Sequence, residues 1–233
     1  VNAKVGEEYG QIMGSDFIYD ANGNKVVGAN GRYLKSAVKS LGTVLPDWNL
    51  GIGNEFKLFG FDIRMLWDIQ HGGKFFSTTK MWGTYTGILE ASAENGIREN
   101  GIVLDAMVDK YDANGNVMYN PDGTAQVTGA NTTNIDAYTW TTDHYNGPAA
   151  QNVLDASYIK LREITVSYTI PAKFTGPINN LKIGLFGRNL ATFGTAMVGI
   201  DPEQNNSSGN IQGIEGAGLP STRTFGFNVG FNF

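Results

Sequence analysis

The chain has 233 residues, long enough for one large β domain or two small ones, and its 41% apolar and 17% charged residues exclude a disordered polymer. A net charge of -5 without clustered lysines and arginines excludes a nucleic-acid partner, and the absence of cysteine removes disulfides, thiolate zinc sites and thiol catalysis together. Thirty-one glycines and 12% aromatics beside only 7 prolines favour short strands and tight turns, hence an all-β chain.

Residues 1–47 read as an irregular Gly-rich segment. From Trp48 the pattern changes. In WNLGIGNEFKL, Trp48, Leu50, Ile52, Phe56 and Leu58 share one face; in FDIRMLWDIQ, Phe61, Ile63, Met65, Trp67 and Ile69 stand against Asp62, Arg64, Leu66, Asp68 and Gln70. The two runs predict a hairpin over 48–70. With Phe59-Gly60 as a two-residue loop, Lys57 faces Asp62 and Glu55 faces Arg64, two opposite-charge pairs that support this register. A bulky Phe59 at positive φ is disfavoured, so a three-residue turn with a Gly bulge stays open.

Residues 71–156 carry ten acidic against four basic side chains and read as one long acidic loop, a structural entity of its own. Its aromatics Trp82, Tyr85, Tyr138, Trp140 and Tyr145 are candidates to stack on sugars or peptide side chains or to meet a lid protein, and equally to pack the loop on itself. A second hairpin is predicted over 157–190. EITVSYTI alternates Ile164, Val166, Tyr168 and Ile170 with Glu163, Thr165, Ser167 and Thr169 until Pro171 ends the run; after the turn PAKFTGPINN, LKIGLFGRNL sets Leu181, Ile183 and Leu185 against Lys182, Gly184 and Arg188. Residues 191–221 form a second long loop, in which Pro202 of GIDPE fixes a bend. The closing strand, 222–233, places Phe225, Phe227, Val229, Phe231 and Phe233 on alternate positions, with Gly226, Asn228, Gly230 and Asn232 between them.

Five strands of about ten residues, joined alternately by very short turns and very long loops, match the dimensions of an antiparallel transmembrane β-barrel. No stretch reaches the roughly 18 apolar residues of a membrane helix and no signal-peptide pattern opens the chain, so it is either soluble or crosses a bilayer with strands. In the barrel reading Lys57, Asp62, Arg64, Asp68, Glu163 and Arg188 face the lumen as ion pairs, and Trp48, Trp67 and Tyr158 suit an interfacial girdle. A soluble β-sandwich alternates likewise, although the Gly/Asn face of the last strand is unusual for a solvated one. If the closing strand ends in the periplasm, residues 1–47 and both long loops lie outside the cell.

Catalysis has little support: His71 and His144 are the only histidines, and neither adjoins a recognisable nucleophile. YDANGN occurs at 19–24 and 111–116 and begins like a calcium loop. It lacks the later ligands and the closing Glu, so a Gly turn is the better reading, and neither metal nor cofactor is expected.

The strings SYIKLREITVSYTIPAKF, LKIGLFGRNLATFG, GIDPE and LPSTRTFGFNVGFNF resemble the carboxy-terminal end of the SusC/RagA-type TonB-dependent outer-membrane transporters of Bacteroidetes. GEEYGQIMGSDF, LGTVLPDW, FKLFGFDIRMLWDIQHGGKFFS and the REN of Arg98–Asn100 extend that likeness over nearly the whole chain. The resemblance implies about five strands of a parent barrel of about 22, plugged from an amino-terminal part absent from this sequence. It also implies energy from the TonB complex through that part, a SusD-like lipoprotein lid, and glycan or peptide import. Phe225, Phe227, Val229, Phe231 and the terminal Phe233 then face lipid and resemble the signal read by the outer-membrane assembly machinery. The competing function is an extracellular all-β binding or adhesion module with no transport role.

Overall fold

The computed structural model describes residues 3, 5–176, 178–196, 198–204 and 212–232. Its main elements are β1 (Gln11–Phe17), β2 (Lys35–Thr43), β3 (Trp48–Leu58), β4 (Phe61–His71), α1 (Thr78–Tyr85), α2 (Ala137–Asn146), β5 (Tyr158–Thr169), β6 (Asn179–Phe193) and β7 (Thr224–Asn232). Strands dominate and, among these elements, all pair antiparallel, an all-β architecture. The chain divides into two compact units, Val1–Val44 with Lys74–Leu154 and Asn205–Ala217, and Leu45–Gly73 with Asp155–Gln204 and Gly218–Phe233.

The second unit is a five-stranded meander in the order β7-β6-β5-β4-β3, and all five strands predicted from alternation are in it. Residues aligned across the ladder form rows. Leu58, Phe61, Tyr168, Ile183 and Val229 make one, and Phe56, Ile63, Val166, Leu185 and Phe227 make the next. Five of these ten are exposed by 49% or more, with Leu185 at 64% and Phe227 at 75%, so this apolar face is uncovered. Phe225 (73%) and Phe231 (50%) extend it along β7, and Phe233 lies outside the described residues.

The turn between β3 and β4 is the two-residue form. Leu58 pairs with Phe61, and Phe59 and Gly60 take φ of 49° and 86°, so Phe59 accepts the left-handed region that its bulk disfavours. Lys57 faces Asp62 and Glu55 faces Arg64, the register that the charge pattern requires. A Cβ on Gly60 would stand 2.8 Å from the Tyr168 ring, which leaves glycine as the residue that closes this turn.

In the first unit β1 pairs with β2, and Val26–Val27, wholly buried, lies parallel to Met107–Asp109. Val27, Leu104, Ala106 and Ile135 form a small core against which Tyr33, Ile102, Val108 and Trp140 pack. The stretch expected as one acidic loop therefore holds α1, α2, a single helical turn at Ile97–Asn100 and its share of a core. The two longer helices, α1 and α2, have 8 and 10 residues and only weak apolar periodicity. Their caps are the legible signal: Ser77 accepts from the Lys80 N–H and Asp136 from the Thr139 N–H. Both YDANGN stretches fold into one geometry, in which Asp20 accepts from the N–H groups of Asn22 and Asn24, and Asp112 from those of Asn114 and Asn116. The aspartates thus close the turns on themselves.

On the second face of the sheet, the Phe186 ring lies over Gly226: a Cβ there would stand 2.4 Å from the ring. Gly226→Val should destabilise the β6–β7 pairing by about 1–3 kcal/mol through overpacking. Gly226→Val with Phe186→Ala should recover most of that loss; thermal unfolding of both variants checks the coupling, and equal losses in the two would contradict it.

Candidate functional site

The face of the sheet opposite the apolar rows is charged. Lys182 bonds Asp62 at 2.6 Å, Arg188 bonds Glu163 at 2.8 Å, and Glu55 takes Arg64 at 3.3 Å and Lys57 at 3.9 Å. A denser knot sits at the other end of β5. Lys160, with 3% of its side chain exposed, bonds Asp201 at 2.6 Å and also pairs with Glu203. Arg162 donates from Nε to Asp68 at 2.9 Å and pairs with Glu203, while the Tyr158 hydroxyl donates to Glu203 at 3.1 Å and to Asp68 at 3.3 Å. The six residues expected to share a face, Lys57, Asp62, Arg64, Asp68, Glu163 and Arg188, all lie on it, and each has an ion partner.

Sequence reasoning missed Lys160, Arg162 and Tyr158 as members of this face, for one reason. Strict alternation from Ile164 and Val166 sends every even-numbered residue of β5 to the apolar side. A β-bulge at Arg162 intervenes: Leu161 pairs with Trp67 and Glu163 pairs with Leu66, leaving Arg162 extra. Upstream of the bulge the parity inverts, so Ile159 and Leu161 join the apolar rows while Tyr158, Lys160 and Arg162 join the charges. Tyr158 is consequently 5% exposed and part of the ion knot, in contrast to the girdle position expected for it; Trp48 is 47% exposed and stacks on His71. Asp201 and Glu203 of GIDPE supply the knot's loop carboxylates. Burial alone would raise both, but bonds to Lys160, and for Glu203 first to Arg162, hold them below their ordinary values of 3.8 and 4.5. Between Glu55, Arg64 and Glu163, beside Gly53, the face leaves a shallow hollow of about 520 Å³.

The candidate aromatics of the first unit separate three ways. Trp82, Tyr85 and Tyr145 form one exposed cluster on α1 and α2, their ring centroids 5.0–5.7 Å apart. Tyr138 is 76% exposed on the first turn of α2. Trp140 turns inward onto the core and meets His144 edge-on at 5.0 Å. His144 is driven down to about 4, by burial first and the Lys80 charge second, and is neutral at pH 7. Among the described residues no group of three or more His, Asp or Glu is placed to hold a metal ion, and no helix is long and apolar enough to cross a membrane.

Lys160→Met would leave Asp201, itself 8% exposed, as an uncompensated charge, a loss of about 3–5 kcal/mol for a buried pair broken on one side. Acid should have a milder version of the same effect. The two carboxyls have lowered values when folded, so their contribution is complete above the ordinary carboxylate range and declines as pH falls below it. Hydrogen exchange at residues 201–204 checks both: protection should fall in the variant and at pH 3, and unchanged protection in the variant would contradict the knot.

No protein-family model matches the chain. Over 94% of its length it is 23% identical to the TonB-dependent receptor P3 of Formosa agariphila, of which it covers 19%. Its fold superimposes on the RagAB peptide transporter with a TM-score of 0.53 and 12% identity, over 95% of this chain and 22% of that one. The RagAB peptide importer in its closed-closed state gives 0.51 and 14% over the same shares. The chain thus spans about a fifth of the length of these proteins, which are a receptor and transporters rather than enzymes. In sequence along nearly all of its length, and in fold, the chain resembles the TonB-dependent transporters of the SusC/RagA type.

Proposed function

We propose that this chain is part of the wall and extracellular loops of a TonB-dependent outer-membrane importer. It takes up oligosaccharides or peptides beneath a SusD-like lipoprotein lid. One observation carries the reading: a five-stranded meander with one uncovered apolar face and one face of paired charges. A soluble sandwich would cover the apolar face with a second sheet, and soluble proteins rarely expose such continuous patches. In a bilayer the same face is solvated by hydrocarbon, and the ladder groups of β3 and β7 that face away from the sheet are satisfied by further strands of the barrel. Five strands are too few to close one, since about eight is the practical minimum. The remaining strands, the plug and the TonB-contacting segment therefore belong to the rest of the parent.

In this reading Lys57, Asp62, Arg64, Asp68, Glu163 and Arg188 line the lumen and brace the wall, since each is already paired. Trp82, Tyr85 and Tyr145, with Tyr138, are the surface offered to substrate or lid, whereas Trp140 is a core residue. Phe225, Phe227, Val229, Phe231 and Phe233 face lipid and present the assembly signal. An adhesion module with the same loops would have no use for the bare apolar rows.

Two experiments test the proposal. Phe227→Arg puts a charge at mid-strand on the lipid side, where it costs about 2–4 kcal/mol, and should cut the surface level of the full-length protein sharply. Asn228→Arg, one residue along on the lumen side, should leave that level near wild type; the reverse order would contradict the assignment of faces. Deleting the gene should abolish growth on the imported oligosaccharide or peptide as sole carbon source, and collapsing the proton gradient should stop uptake at unchanged surface levels. Uptake that survives both treatments would refute energised import.

A further inference from the structure

The first unit has fourteen acidic and nine basic residues, yet four of its lysines converge on two cavities. The smaller, about 350 Å³, is lined by Phe17, Lys25, Tyr33, Lys80, Trp140 and His144 among others. The larger, about 610 Å³, shares Phe17 and Lys25 with it and adds Lys39 and Lys74. Lys39 is paired with Asp16 at 2.9 Å, and Lys74 donates to the Leu41 carbonyl at 3.2 Å.

Lys25 and Lys80 are different. Lys25 Nζ stands 4.1 Å from the Phe17 ring centroid and 5.5 Å from that of Tyr33, and among the described residues no carboxylate pairs with it. Lys80 Nζ donates to the Gln151 carbonyl at 2.6 Å and also has no carboxylate partner. Burial and the Lys25 charge lower its pKa from 10.5. The one carboxylate in the wall, Asp143, bonds neither lysine: its Oδ1 is paired with Arg32, whose Nε lies 2.7 Å from it, and its Oδ2 is buried without a hydrogen-bond partner. Two ammonium groups thus share a partly dry space without a counter-ion, an arrangement that an arriving anion relieves. The remaining wall is aromatic, and Lys25 already lies across two of its rings.

We propose that this cavity binds a small cyclic carboxylate, its anion held between Lys25 and Lys80 and its ring laid against Phe17, Tyr33 and Trp140. At about 350 Å³ the space is near the lower end of ligand pockets and suits one ring with its acid group rather than an oligomer. Two lysine ammonium groups are point charges, each able to contact one oxygen of a single carboxylate. The chemistry is shared by the carboxyl end of a peptide that finishes in an aromatic residue and by an acidic sugar. The site is independent of transport, because its occupancy is read as binding.

Isothermal titration of the full-length protein in detergent tests it with N-acetylphenylalanine and glucuronate, each against its neutral counterpart, N-acetylphenylalaninamide and glucose. At least one acid should bind at least tenfold more tightly than its neutral counterpart, and which one does so identifies the source of the chemistry. Lys25→Met, which keeps the stem on the rings, should weaken that acid at least tenfold at an unchanged thermal midpoint, and Lys25→Arg should restore it. Should Lys25→Met fail to fold, Lys80→Met reads the same loss, and the affinity of the unaltered protein should fall as salt rises from 50 to 500 mM, by roughly the screening expected of an ion contact. Absence of binding by both acids, equal binding of acid and neutral partner, or full affinity in the folded Met variants would overturn the proposal.

Discussion

A charge on a strand with one apolar face must point the other way, and in β5 that requirement is met by one extra residue. Arg162 sits outside the pairing, so the parity of the strand changes at its position. Without the bulge, Lys160 and Arg162 would project on the apolar side, beside Trp67 and Ile69 of β4. With it, they reach Asp68, Asp201 and Glu203 and draw the GIDPE loop onto the sheet. The apolar rows remain unbroken on one side and the ion pairs remain continuous on the other. Both properties on which the functional reading rests therefore follow from this local irregularity.

The same sheet shows how a wall accommodates side chains of unequal size. Phe186 occupies the polar face because Gly226 opposite it has no Cβ, and Asn228 occupies the space over Gly184. The alternation of Gly and Asn along β7 is thus complementary to β6 rather than a solvated surface. On the other side of β7, Phe225 and Phe227 are exposed by 73% and 75%, which is the physical content of an uncovered apolar face.

The first unit is organised by local polar closure around a small core. Aspartates at the starts of the two YDANGN turns, Ser77 and Asp136 at the helix starts, and Asn131 at the Leu104 carbonyl satisfy backbone groups that a short irregular chain leaves open. Identity of 12–14% to proteins of the same fold is understandable on this basis. Strand parity, turn chemistry and capping tolerate many residues, whereas the face on which each residue stands is strictly constrained.

The sequence by itself determined the five strands of the meander, the register of β3 against β4 and the side of the sheet on which most charges stand. These depend on period-two alternation and on charge pairs close along the chain. It did not determine the parity change at Arg162, because a bulge is defined by its partners on both neighbouring strands. Nor did it separate Trp140, turned into a core, from Trp82, Tyr85 and Tyr145, left outside, since all are aromatic residues on short helices with little periodicity. The meeting of Lys25 with Lys80 was equally hidden: residues 55 positions apart are joined by packing of the whole unit, a long-range arrangement with no local pattern to announce it.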